Sequence, residues 1–338
     1  MRDRNPMPSS NPDASNTHAL DRTTSESVRH RERYVLSYAN KGHAGPLGRT
    51  VIRALEAMTG MRRLHHCYQC AQTMLGTERA ASTSGHRDNG HSGLAICDPQ
   101  VWSVAMQAMD IESVIHGHQP SIIPPAGPLV VVANHPFGLV DGVAICDLIA
   151  RVRTDFRVLA HAAVGSVPEI AHYMFPLDFS ENKLALAINL ETRARARRWL
   201  RDGGAIIIFP AGGVSTAKPL GRAVDPPWTP FVSTLITNTE ATVLPVYFPG
   251  QNSWLFQIAS HVSLTLRLGL LAFEATRRLG KHIDLVVGEP IPFDALRHHG
   301  DRKSLINDLR TRTYALDAVK RIGRPRSGNS TAEPTQRR

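Results

Sequence analysis

Cysteine is scarce in this chain: Cys67, Cys70, Cys97 and Cys146 are the four among 338 residues. So few in so long a chain exclude a disulfide framework. His65, His66, Cys67 and Cys70 stand at ligand-like spacing, but no second cysteine or histidine pair follows at the distance a zinc site requires. Two cysteines on one helix are expected there, and no metal. Long apolar runs are also missing. No stretch approaches the ~20 consecutive apolar residues that cross a bilayer, and the nearest, residues 254–273, is interrupted by Gln257, His261 and Arg267. Residues 1–6 lack the apolar core of a secretory signal. A Gly-x-Ser-x-Gly elbow is absent, which speaks against a serine hydrolase.

Positive charge is plentiful, formally +10, and its placement matters more than its size. Residues 1–50 carry eight Lys/Arg against five Asp/Glu, residues 320–338 carry six against one, and the stretch between them 25 against 23. The body is therefore nearly neutral and the ends are basic. Such ends suit an anionic membrane surface, at about 1 kcal/mol per basic residue close to it. No helical or zinc reading motif accompanies them, so nucleic acid is not an expected partner. With 42% hydrophobic residues the chain can bury one sizeable core. The expectation is a cytoplasmic protein, peripheral on the inner face of the cell membrane. It has a disordered basic arm over 1–46, a helical segment over 47–118, one main domain over 119–319 and a disordered basic tail over 320–338.

Periodicity fills in the body. Apolar residues from Leu47 to Leu75 recur at helical spacing with a break at Gly60, which predicts a helix pair, followed by a polar loop over residues 76–93. Val101–Ile115 reads as a further helix whose apolar side, Trp102, Ala105, Met106, Met109 and Ile115, belongs first of all to a core. Strands are expected at 129–133, 156–160, 173–177, 205–209, 243–247 and 283–287. Helices are expected at 139–152, 183–200 and 265–279, and one or two more within 296–319. On the 183–200 helix, Arg193 and Arg197 share a face with Arg201 and read as a solvated surface before they read as a phosphate contact. Strands alternating with helices predict an α/β fold, a central mostly parallel or mixed sheet flanked by helices, preceded by the helical segment.

The chemistry concentrates in residues 129–142. Leu129–Ala133 is an unbroken, largely β-branched run that suits a strand buried on both faces. Pro136 forces His135 into an extended conformation at the strand's end, and Gly138 supplies the positive φ a turn needs. Asp141 then falls in the first turn of the next helix, from where it can fold back onto the imidazole. A neutral histidine so held is a general base for an acceptor hydroxyl or amine, the carboxylate fixing its tautomer. The helix N-terminus is expected to keep Asp141 ionised.

A second loop follows the strand at 205–209. Gly212 and Gly213 let its backbone approach a ligand, successive amides there form an anion-binding concavity, and Ser215 and Lys218 add a donor and a charge. If the two strands are parallel, both loops open on one cleft at the carboxyl edge of the sheet. Residues 248–254, after the strand at 243–247, are expected to wall that cleft with amides and aromatic rings.

Asn134-His135-Pro136-Phe137-Gly138, followed by Asp141-Gly142, resembles the first signature block of the glycerolipid and lysophospholipid acyltransferase family, which includes the 1-acylglycerol-3-phosphate O-acyltransferases. Phe209-Pro210-Ala211-Gly212-Gly213-Val214-Ser215 resembles its third block and Val243–Phe248 its fourth, in the family's order. The first block is most similar to that of the hemolysin-like bacterial branch, some of whose relatives make ornithine-type aminolipids. Three departures stand out. Five residues separate His135 from Asp141 where the family commonly has four. Ala211, Gly213 and Val214 replace the Glu, Thr and Arg of the common third block. The second block's arginine has no counterpart near Phe175–Phe179.

The resemblance implies an acyltransferase domain over 119–319 with His135 and Asp141 as the catalytic pair. It places Asn134, Gly138, Phe209, Pro210, Gly212, Gly213, Ser215 and Lys218 around the substrates. It implies no bound cofactor: an acyl-carrier-protein or acyl-coenzyme A thioester serves as co-substrate, and a lysolipid, lysophospholipid or lyso-aminolipid, as acceptor. The amides near Gly212 and Gly213 would hold either the acceptor's head group or the developing oxyanion. The rival reading is a catalytically idle lipid-binding or membrane-adaptor relative, against which the intact pair argues.

Overall fold

The computed structural model describes residues 46–83, 98–162, 164, 167–178, 182–217 and 221–322. Its centre is a seven-stranded sheet. Its strands are β1 (Glu112–Gly117), β2 (Leu129–Ala133), β3 (Phe156–His161), β4 (Met174–Leu177), β5 (Ala205–Ile208), a two-residue hairpin pair set apart from the sheet, β6 (Thr216–Ala217) and β7 (Ala223–Val224), then β8 (Thr242–Tyr247) and β9 (His282–Val287). Across the sheet the order is β1-β9-β8-β2-β5-β3-β4. The five strands from β8 to β4 are parallel; β9 meets β8 antiparallel and β1 lies parallel to β9. The sheet is thus mixed and mostly parallel, as expected.

β2 sits in the middle because every one of its residues is apolar and buried. Leu129, Val131 and Ala133 face one core, shared with Trp102, Ile145, Phe156 and Tyr173; Val130 and Val132 face the other, with Leu200, Leu235 and Leu309. Full burial of such a side chain contributes about 1.5–3 kcal/mol, so this short strand is an anchor for both layers. α1 (Pro46–Thr59), α2 (Met61–Thr83), α3 (Gln100–Ala108), α4 (Leu139–Ala150), α7 (Trp254–Val262) and α8 (Leu264–Thr276) build the first layer. α5 (Lys183–Arg201), α6 (Phe231–Thr239) and α9 (Arg302–Ala315) build the second, and α10 (Asp317–Ile322) follows.

Several expectations need correction. The helix read over 101–115 stops at Ala108. Asp110 turns the chain with φ of +51°, a conformation that aspartate tolerates. The β-branched Val114 and Ile115 then continue as β1, with Ile115 opposite Leu285. The loop expected from residue 76 begins as helix, because Glu78, Arg79, Ala80 and Ala81 are adequate helix formers and α2 runs to Thr83; the rest of it lies outside the described residues. α6 carries the β-branched Val232, Thr234, Ile236 and Thr237, which weaken a helical reading of the sequence. Burial of Val232, Leu235 and Ile236 beneath α5 and α9 makes it a helix all the same. Trp254, expected to end the cleft wall of residues 248–254, starts α7 (Trp254–Val262), capped by Ser253, whose side chain accepts from Phe256 N. Trp254 points out at 73% exposure. Arg193, on the face shared with Arg197 and Arg201, is exposed and lies over the ring of Phe231.

Candidate active site

The turns after β2, β5 and β8 all leave the carboxyl edge of the parallel strands, and β2 lies between the other two. Gly138 ends the first turn at φ +82°, ψ −117° and caps α4. A Cβ there would meet only ordinary contacts, so the backbone conformation rather than space calls for glycine. The close approach lies elsewhere: a Cβ on Gly250 would come within 2.6 Å of the Phe137 ring, so the loop after β8 rests directly on the turn after β2.

Asp141 is fully buried, and one of its oxygens organises the turn. Oδ2 accepts from Phe137 N at 2.7 Å and from Gly138 N at 3.0 Å, and stands 3.1 Å from His135 Nδ1. The imidazole and carboxylate stand at ion-pair distance without meeting hydrogen-bond geometry, and Nδ1 has no other partner among the described residues. Burial pushes the Asp141 carboxyl above the ordinary carboxylate range, while the His135 ring and the two amides pull it back. Desolvation is the largest influence on this carboxyl. The His135 side chain is 18% exposed, which leaves Nε2 toward the open side. Its ring stacks on Phe209 with centroids 4.0 Å apart.

The second loop is tied to the first through backbone: Ser215 N donates to His135 O at 2.8 Å. A group absent from the sequence reading completes the tie. The buried Asp225 accepts from His135 N at 3.1 Å and Ser215 Oγ at 2.5 Å through Oδ1, and from Trp228 Nε1 at 2.9 Å through Oδ2. Its own backbone is held from α9, since Asp225 N donates to the Tyr314 hydroxyl and Arg310 donates to Asp225 O. Burial and the charge of Asp225 push that tyrosine hydroxyl up, so it stays neutral. The local signal for Asp225 was slight, a lone carboxylate before Pro226, Pro227 and Trp228.

The remaining candidates divide by burial. Asn134 is buried with both polar groups engaged by the backbone of Phe248, at 2.9 and 2.7 Å, so it links β2 to β8 rather than facing the cleft. Gly138, Pro210 and Ser215 are likewise buried. Phe209 and Gly213 are partly open and Gly212 is exposed. Lys218 lies outside the described residues. Two cations that the sequence reading did not assign to the site come from α8 and its end. Arg267 Nη2 donates to Val214 O at 2.7 Å, and the Arg278 guanidinium lies 3.7 Å over the Phe137 ring. Burial lowers the pKa of both, partly offset at Arg278 by Asp141 and Glu274. A hollow of about 550 Å³ opens beside Phe137 and Arg278, between Glu112 and Asp284, and His135 does not line it.

A family model described as acyltransferase matches residues 110–323, more than half of the chain. The chain belongs to the acyltransferase family. A curated lyso-glycine lipid O-acyltransferase from Phocaeicola vulgatus is 24% identical over 178 residues, 51% of this chain and 62% of that protein, so the match spans less than two thirds of the relative. Among solved structures, the 1-acyl-sn-glycerophosphate (LPA) acyltransferase PlsC from Thermotoga maritima is similar with a TM-score of 0.45 and 14% identity, covering 78% of this chain and 98% of that one. In this acyltransferase-family chain the matched span takes in all seven strands of the main sheet and all three turns at its carboxyl edge. Among the described residues there is no group of three or more His, Cys, Asp or Glu that could hold a metal ion, and no helix is long and apolar enough to cross a membrane.

Proposed function

We propose that this chain transfers a fatty acyl group from an acyl-carrier-protein or acyl-coenzyme A thioester to the hydroxyl of a lysolipid. The observation that carries this reading is the placement of His135 Nδ1 3.1 Å from the buried Asp141 Oδ2, with the ring's other nitrogen left to the open side. With Nδ1 protonated toward Asp141, Nε2 takes the acceptor's proton and the freed oxygen attacks the thioester carbonyl. The tetrahedral intermediate collapses, the carbon–sulfur bond breaks, and the departing thiolate takes the proton back from Nε2. An ester and a free thiol result, with no acyl-enzyme. Backbone amides near Gly212 and Gly213 provide for the developing oxyanion or the acceptor's head group. Phe209 sets the plane of the imidazole by stacking. The relative's activity on a lyso-glycine lipid favours a hydroxyl acceptor over an amine.

Attachment to an anionic bilayer belongs to the same proposal. α7 carries no charged residue and exposes Trp254, Leu255, Ile258 and Val262, and it starts at the edge of the sheet that bears His135. An apolar helix face with a tryptophan lies well at a lipid interface, and the basic ends of the chain add attraction to anionic head groups.

The test is lipid profiling of cells expressing the native chain beside His135→Ala, with both thioester classes supplied to the purified proteins. A lipid species that accumulates only with the native chain is expected. If no acylated product depends on His135, the proposal fails.

A further inference from the structure

Arg267 is a half-buried guanidinium with no carboxylate at ion-pair distance among the described residues. Its single hydrogen bond among them is to Val214 O, and the same Nη2 lies 3.3 Å from where a Cβ on Gly213 would stand. A cation withdrawn from water without a counter-charge is unfavourable, and proteins generally pair such groups. The backbone around it is short of partners too: the amides of Gly213 and Val214 donate to no described residue. This loop is joined to the dyad turn by Ser215 N donating to His135 O. A fixed guanidinium beside unpaired amides of a glycine-bearing loop has the makings of an oxyanion-group receptor.

We infer that Arg267, with the Gly213–Val214 backbone, binds a phosphate or carboxylate group of a substrate. The inference rests on the proposed acyl transfer only for which substrate brings that anion: the lysolipid's head group, or the phosphate of the thioester's pantetheine arm. Arg267 holds the loop through Val214 O and keeps its remaining donors for the ligand. A Cβ on Gly213 would displace that guanidinium by a few tenths of an ångström.

The binding test needs no turnover. Inorganic phosphate is titrated into the full-length protein at constant ionic strength, with chloride as the control anion, and followed by thermal shift and calorimetry. The native chain is expected to saturate in the millimolar range. Arg267→Gln is expected to weaken binding tenfold or more and Arg267→Lys less than that. Gly213→Ala is expected to give an intermediate loss while keeping the arginine, which covers the case in which Arg267→Gln folds poorly. A native chain that does not bind phosphate, or binding unchanged in both Arg267→Gln and Gly213→Ala, overturns the inference without touching the transfer reaction. Kinetics then separate the sources. A tenfold rise in KM for the lysolipid alone assigns the site to the head group, and the same rise for the thioester alone assigns it to the donor. A fall in kcat with both KM values unchanged marks a purely structural arginine and overturns the inference.

Discussion

The two turns that meet at the candidate site are built by opposite means. The turn after β2 is closed from within: Asp141 reaches back three and four residues to cap Gly138 N and Phe137 N, and meets a histidine six positions away. The loop after β5 is closed from outside, by Asp225 on the segment after β7, by Tyr314 and Arg310 on α9, and by Arg267 on α8. Such a turn takes its shape mainly from its own residues, and the ties to Asp225 and Ser215 reach only the His135 backbone. A loop held by three distant elements takes its shape only after those elements have packed, and it can report on them.

That contrast can be broken most forcefully at His135. His135→Ala is expected to lower acyl transfer by about 10²–10⁴-fold with the melting temperature nearly unchanged, since the turn's hydrogen bonds run through Asp141 and not through the ring. Comparable loss of stability and activity would mean that the ring is a packing element.

Asp141→Asn comes next, with about 10²-fold loss of transfer and no loss of stability. The sign follows from burial. A carboxyl whose pKa is raised in the folded state binds its proton more tightly there, so the native chain loses stability as pH rises from the ordinary carboxylate range through the raised value. Asparagine lacks that contribution, and its stability against pH should be flatter over the same window. Urea titrations from pH 4 to 8 check this, and a steeper dependence in the variant would contradict the account.

Asp225→Ala is expected to act on the second loop, lowering transfer about tenfold and stability by about 1–3 kcal/mol. The substitution strands the buried donors of Ser215 and Trp228. Chemical denaturation beside steady-state rates measures both effects. Equal loss of hydrogen-exchange protection in both turns would show that the loops form one unit and the contrast is false. The smallest expected effect is that of Trp254→Ser, which should reduce co-sedimentation with anionic vesicles several-fold and leave transfer to a soluble short-chain acceptor unchanged. Unaltered vesicle binding would move the membrane contact away from α7.

How much was legible follows the same division. β2 and α4 could be read because a run of buried β-branched residues, a proline after a histidine, a glycine and a first-turn aspartate all act within fourteen residues. β5 and β8 were likewise legible as short apolar runs. β1 reads as helix in the sequence because its apolar residues continue the α3 stripe in register, and the break depends on one aspartate at positive φ. α6 is not legible in the sequence because β-branched residues are poor helix formers until α5 and α9 bury them.

Local chemistry along the chain was enough to specify a strand, a turn and a histidine–aspartate pair, because backbone preferences and a short reach decide them. Tertiary structure alone decided the rest. It set the order that puts β2 between β8 and β5, made Asp225 a clamp on His135, 90 residues before it, and brought Arg267 against Val214 across 53. Contacts of that kind arise from packing two helical layers on one sheet, and no sequence window short enough to show periodicity contains both partners.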